Sequence, residues 1–148
     1  MSKEKAIIVD LDGTLTDVEH RVHFVQLSVK NWKEFNDRMI HDPLNVWCYE
    51  LIAAMKSRGY KIIFVTGRGE DYRGHTEDWL KRHHVDYDLL YMRKVNDFRE
   101  DDDVKEEIYR QKIESLYQVL FVVDDRKSVV KRWREMDLIC LQCEWGEF

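Results

Sequence analysis

The stretch Ala6-Ile7-Ile8-Val9-Asp10-Leu11-Asp12-Gly13-Thr14-Leu15-Thr16 decides the fold. Its first four residues are continuously apolar and mostly β-branched, as a central parallel strand covered on both faces requires. The strand then runs straight into two carboxylates and a glycine turn. Crowded carboxylates at a strand end are costly unless a cation or a proton compensates them, so the pair points to a Mg²⁺-assisted reaction. A second apolar run, Gln118-Val119-Leu120-Phe121-Val122-Val123, ends in a second pair, Asp124-Asp125. If the two strands are neighbours in a parallel sheet, the pairs face one another and share one metal.

Working outward, Lys61 to Val65 reads as the next firm strand, ending in the polar turn Thr66-Gly67-Arg68-Gly69. Between the two, Asp42-Pro43 supplies a cap and a first-turn proline, and Val46, Trp47, Leu51, Ile52 and Met55 recur at helical spacing until Gly59. Strand, helix, strand implies a right-handed parallel crossover. The alternation continues with a helix over 71–83 that turns Tyr72, Thr76, Trp79 and Leu80 to the sheet, then a weaker strand over 87–91. A helix over 102–116 follows, apolar at Val104, Ile108, Ile113 and Leu116, and then the strand 118–123. A helix from about 127 to 136 presents Val129, Val130 and Trp133, and 138–141 forms a last strand. This order predicts an α/β three-layer sandwich with a central parallel Rossmann-like sheet, whose ligands bind at strand C-terminal ends where the topology switches. Residues 16–41 read as a minimal helical cap insertion, with His20, Phe24, Leu27, Val29, Trp32 and Phe35 as its apolar and aromatic positions. A cap that short leaves the site fairly open.

The 148 residues suffice for one hydrophobic core, so a single domain over 1–148 is expected. A hydrophobic share of 44% and a charged share of 36% fit a soluble globular chain, and six Gly with one Pro give no sign of a linker. The formal net charge of -5 excludes a broadly basic protein, so contact with nucleic acid requires a local patch. Arg68, Arg73, Lys81, Arg82, Arg93 and Lys94 are the candidates for that rim, and Trp32, Phe35 or Tyr91 could stack on a base if exposed, although core packing is the commoner use of such residues. Cys48, Cys140 and Cys143 read as ordinary thiols, since the Cys140–Cys143 spacing lies in a strand-like stretch without the helix terminus that lowers a thiol pKa. His83-His84 reads as a helix end rather than a zinc site. No apolar run approaches the roughly 20 residues that cross a bilayer, and Met1 to Lys5 is not a secretory leader, so a cytoplasmic location without membrane contact is expected.

Asp10 is the candidate nucleophile: phosphoryl transfer to its carboxylate would give an aspartyl-phosphate and divide hydrolysis into two displacements. Asp12, diverging in the Gly13 turn, would protonate the leaving oxygen and later take a proton from water. Gly13, Thr14 and the following residues would donate their N–H groups to phosphate oxygens. Asp124 and Asp125 would complete a Mg²⁺ site with Asp10 and the Asp12 main-chain carbonyl, Asp124 being the better direct ligand and Asp125 acting through water or holding the loop. Thr66 and Gly67 would receive phosphate, and Lys105 would neutralise its charge.

These motifs resemble those of the haloacid dehalogenase superfamily of aspartyl-phosphate phosphatases: Asp10-Leu11-Asp12-Gly13-Thr14 the nucleophile motif, Thr66-Gly67-Arg68 the phosphate motif, Lys105 the basic motif and Asp124-Asp125 the metal motif. Asp101 to Tyr109, Asp124-Asp125-Arg126 and Val129 to Arg134, with the ending Gly146-Glu147-Phe148, are further similar to the 3′-phosphatase domains of bacteriophage polynucleotide kinase-phosphatases. That resemblance implies active-site roles for Arg21, Arg68 and Arg93 and a functional carboxylate at Asp101. Asp103 departs from it, replacing an expected apolar residue and leaving the helix register open. No Gly-x-x-x-x-Gly-Lys-Ser/Thr signature occurs, so the 5′-kinase half is expected to be absent and a stand-alone phosphatase is the simplest consequence. The implied activity is Mg²⁺-dependent removal of terminal 3′-phosphates from DNA, RNA or 3′-nucleotides, beside a separate kinase or ligase as partner. A 5′- or 3′-mononucleotidase and a general small-metabolite phosphatase are the alternatives, and a non-catalytic module that binds phosphate ends is the reading from another class.

Overall fold

The computed structural model describes residues 2–146, so the last two residues of the Gly146-Glu147-Phe148 match lie outside the described residues. Strands β1 (Glu4–Val9), β2 (Lys61–Gly69), β3 (Leu89–Arg93), β4 (Tyr117–Asp124) and β5 (Cys140–Gln142) form one sheet. Its order is β3-β2-β1-β4-β5 and every pair is parallel. The order reverses at β1, which lies between β2 and β4, so a crevice opens at its carboxyl end.

Both faces of β1 are covered, as its unbroken apolar run requires. Ile7 and Val9 point into one core layer with Ile62, Phe64, Cys48, Ile52, Trp79 and Leu80. Ala6 and Ile8 point into the other, with Ile63, Val65, Tyr109, Val129, Val130 and Trp133. The helices behind these layers are α2 (Val46–Ser57) and α3 (Arg73–Arg82) on the first face, and α4 (Asp101–Ile108) and α5 (Lys127–Glu135) on the second. The predicted insertion contains a 3-10 turn at Val22–Val25, the short helix α1 (Trp32–Asp37) and a second turn at Met39–His41.

Several boundaries move, each for a tertiary reason. β2 does not stop at Val65 but carries Thr66, Gly67 and Arg68 into the sheet, because Gly69 pairs with Arg93 across an irregularity in the β2–β3 ladder. β3 starts two residues later than predicted, which brings Arg93 to its end. Asp42-Pro43 does not cap α2: the helix starts at Val46 after Asn45, whose side chain donates to the Thr14 carbonyl, and Asp42 is buried for another purpose. Val46 and Trp47 are exposed, so the buried stripe of α2 runs through Cys48 and Ile52. The helix over 102–116 is α4 followed by a π-helical turn at Tyr109–Ile113, and Leu116 is exposed. The open register is fixed by burial of Val104 and Lys105, which turns Asp103 outward to pair with Arg132. β5 is Cys140–Gln142 rather than 138–141 and meets β4 only from Val122 to Asp124, leaving Leu120 exposed.

Candidate active site

β1 and β4 deliver their acids side by side. Val9 pairs with Val123 and the Asp10 N–H donates to the Val123 carbonyl at 3.0 Å, so Asp10 sits beside Asp124. Asp10, Asp124 and Asp125 are all buried, and one carboxylate oxygen of each lies within 4.8 Å of the others. Lys105, in the second turn of α4, enters from the same face and is itself buried. Its ammonium donates to Asp10 Oδ1 and Asp124 Oδ2, each at 2.9 Å. Asp124 is held on all sides: Oδ2 also accepts from Trp133 Nε1 at 3.2 Å, and Oδ1 from the main-chain N–H groups of Asp125 and Arg126. Thr14 Oγ1 donates to Asp10 Oδ2 at 3.1 Å. Gly13 has φ +82°, and a Cβ there would collide with the Asp125 carboxylate, so only glycine lets the two acidic loops close on each other.

Three buried carboxylates facing one ammonium leave an excess of negative charge. Burial, followed by the neighbouring Asp124, pushes the Asp10 carboxyl above its ordinary range, and burial with Asp10 and Asp124 beside it does the same to Asp125. Burial opposes the charge of Lys105, but Asp10 and Asp124 outweigh it and raise its pKa. An all-oxygen donor set with surplus negative charge, at the floor of a cavity, fits a hard divalent cation.

Asp12 does not join this cluster. Its side chain turns to Arg68, whose Nη2 donates at 2.8 Å, and to Arg21 Nη2. Burial would raise the Asp12 pKa, yet the guanidinium groups of Arg68 and Arg21 hold it well below the usual carboxylate range. Arg21 is fully buried: Nε and Nη2 reach the two oxygens of Asp42 at 2.7 and 2.6 Å, Nη1 donates to the Phe35 carbonyl, and the Phe35 ring lies 4.3 Å beneath the guanidinium. Arg68 Nη1 donates to Thr76 Oγ1 at 3.0 Å. Thr66 is buried, and its hydroxyl accepts the Arg68 main-chain N–H at 3.1 Å. Arg93 gathers the β3–α4 loop from below, donating to the carbonyls of Gly67, Asp97 and Arg99 and to the Asp101 carboxylate, which also accepts from Arg126 at 2.8 Å. A Cβ on Gly67 would strike Asp101.

A cavity of about 590 Å³ unites these groups. Asp10, Asp12, Gly67, Arg68, Lys105, Asp124 and Asp125 reach it, with Arg93 and Asp101 on one wall, whereas Arg21 and Thr66 stand behind the lining. Of the proposed basic rim, Arg68, Arg93 and Lys94 face the cavity; Arg73 pairs with Glu70, Arg82 donates to the Ile40 carbonyl, and Lys81 lies at a separate pocket. Phe35 is buried, Trp32 is exposed at the cavity, and Tyr91 does not line it. Sequence reasoning missed Asp42, Trp133 Nε1 and Arg126 as partners of the site. Asp42 reads as a helix cap, and only its distance from the helix start argues against that.

A parallel sheet whose strand order reverses at β1, with buried acids and a lysine at that reversal, is the arrangement of a haloacid dehalogenase-like fold. Solved structures share the fold, among them the Class C acid phosphatase from Bacillus anthracis with tungstate bound, at a TM-score of 0.65 and 14% identity over 93% of this chain and 63% of that one. A family model for the phosphatase domain of polynucleotide kinase PNKP matches residues 4–148, and the chain belongs to that family. A chain in the structure of the Pnkp1/Rnl/Hen1 RNA repair complex matches all of this one at 38% identity and a TM-score of 0.88, over 45% of its own length. A protein of Autographa californica nuclear polyhedrosis virus named “Putative bifunctional polynucleotide kinase/RNA ligase” is 25% identical over 141 residues, 90% of this chain and 18% of that protein. The chain thus spans less than half the length of these two relatives. Among the described residues no helix is long and apolar enough to cross a membrane.

Proposed function

We propose that the chain removes terminal 3′-phosphates from DNA, RNA or 3′-nucleotides in a Mg²⁺-dependent reaction that passes through an aspartyl-phosphate on Asp10. The observation that carries this reading is the Asp10 carboxylate, buried between Lys105 and the Asp124–Asp125 pair at the floor of an open cavity. Asp10, Asp124 and Asp125 would hold the cation, with the Asp12 main-chain carbonyl as a further donor, and the bound cation supplies neutralisation of the phosphate charge. Asp10 attacks phosphorus, and Lys105 keeps its charge beside the phosphorylated carboxylate. Arg68, which lines the same cavity, orients the phosphate. Asp12 rests as a carboxylate, the form that removes a proton from water in the second displacement. For it to act as acid in the first, Asp12 must take up a proton from solvent as the incoming phosphate draws Arg68 away, and that proton then goes to the leaving oxygen. Arg21 holds Asp12 from behind, and Arg93 with Asp101 fixes the loop over Gly67.

The relatives with kinase and ligase names are far longer than this chain. We assign the chain the phosphatase step of end repair, alongside kinase and ligase activities of the kind those relatives are named for. The test is phosphate release, with and without Mg²⁺, from matched oligonucleotides carrying a 3′- or a 5′-phosphate and from the corresponding mononucleotides, with Asp10→Asn as control. Preference for 3′-phosphorylated oligonucleotides supports end repair. Preference for mononucleotides replaces this reading with a nucleotidase, and indifference to all of them replaces it with a general phosphatase.

A further inference from the structure

The mouth of the cavity is built from two segments that the phosphate chemistry does not use. One is α1 with the residue pair before it, which brings Lys30 and Trp32; the other is the β3–α4 loop, which brings Lys94, Asn96 and Phe98. Phe98 is 90% exposed and Trp32 43%, an unusual outlay of aromatic surface beside a charged site. The loop that carries Phe98 is not slack. Arg93 Nη1 ties down the carbonyls of Asp97 and Arg99 at 3.0 and 2.6 Å, the Arg99 guanidinium pairs with Asp97 and Glu107, and Asn96 takes the left-handed conformation that turns the chain, at φ +63°. A fixed loop that holds a phenylalanine in water gains nothing for folding from that ring.

The charges at the mouth also differ from those of the floor. The arginines that line the cavity are engaged with carboxylates, whereas Lys30 and Lys94 make no ion pair among the described residues. Lys30 Nζ instead lies 5.5 Å from the Trp32 ring centroid. The cavity of about 590 Å³ is also much larger than a phosphate group needs and is of the size that holds a nucleotide. Aromatic faces beside cations that no carboxylate holds are the chemistry that receives a stacked base and a phosphodiester backbone.

We infer that Phe98 and Trp32 form a stacking subsite for the nucleobase of the terminal nucleotide, with Lys94 and Lys30 placed for the phosphodiester of the same strand. This rests on the 3′-end reading above and adds to it the leaving group: a terminal nucleotide unpaired with a complementary strand, taken by its π-face and so with little regard to base identity. The aromatic contacts act on binding of the strand, whereas Asp10 and Arg68 act on the phosphate.

The test compares kcat/KM on a single-stranded oligonucleotide whose 3′-phosphate follows a normal nucleotide with one whose 3′-phosphate follows an abasic sugar. Wild type is expected to favour the base-bearing end by about tenfold or more, the size of a stacking loss. In Phe98→Ala that preference is expected to collapse toward one, through KM, and Phe98→Trp is expected to restore it. Melting temperature checks that this exposed substitution leaves the fold intact. Equal rates of wild type on the two ends, or a preference that survives Phe98→Ala, would overturn the subsite while leaving the 3′-phosphatase reading standing. Failure of wild type to release phosphate from either end would sink the parent reading instead.

Discussion

Two buried charge clusters lie side by side at the sheet's carboxyl edge, and they are built on opposite principles. Around Asp12, two guanidinium groups face two carboxylates: Arg21 and Arg68 against Asp12 and Asp42, with His20 Nε2 adding a contact to Asp42 at 2.6 Å. That cluster balances itself. Around Asp10, three carboxylates share one ammonium, and the balance is left to something from outside. A self-neutralised cluster positions side chains, whereas one with surplus negative charge is a receptacle for a cation and cannot be optimised for stability alone.

The largest effect that could break this contrast is on turnover. Asp10→Asn preserves shape and removes the carboxylate proposed as nucleophile, so phosphate release is expected to fall by roughly four orders of magnitude with an unchanged circular dichroism spectrum; near wild-type turnover would remove Asp10 from the chemistry. Next is Asp42→Asn, which unbalances the self-neutralised cluster and leaves Arg21 partly uncompensated. A loss of about 3 kcal/mol or more is expected in denaturant titrations, equal in Mg²⁺ and in EDTA. Rescue by Mg²⁺ would show that the two clusters are not distinct. Mg²⁺ at about a hundredfold excess over its Kd is expected to raise the wild-type melting temperature by about 5 to 10 °C, and Asp124→Asn should shrink that shift while Asp42→Asn keeps it. The smallest effect is at the surface, where Arg132 pairs with Asp102, Asp103 and Glu106. Arg132→Ala should cost about 1 kcal/mol or less and fade with added salt, since neither cluster depends on it.

The same contrast explains what could be read from the chain itself. Asp10 and Asp124 are legible because each closes an unbroken apolar run, and parallel pairing of such strands places their ends together. Arg93 reads locally only as one of a basic rim, and its active-site role and that of Asp101 come from the resemblance, since no local pattern shows that one arginine will collect the carbonyls of a loop. Asp42 was misread because a helix-cap residue type before a proline is a local signal, whereas its partner Arg21 is supplied by a segment folded back over the sheet. Thr66 reads as the end of a strand in a phosphate turn; in the fold β2 continues past it, because pairing of Gly69 with Arg93 extends the ladder. Local pattern thus gives strand ends and their acids, while the cations that complement them come from elements whose placement is tertiary.

The most direct test of the central claim is the stereochemical course at phosphorus, followed with an isotopically chiral 3′-phosphorothioate end. Two successive displacements, the first onto Asp10 and the second by water, predict net retention of configuration. Net inversion would mean that water attacks the substrate directly, and would contradict the assignment of Asp10 as nucleophile.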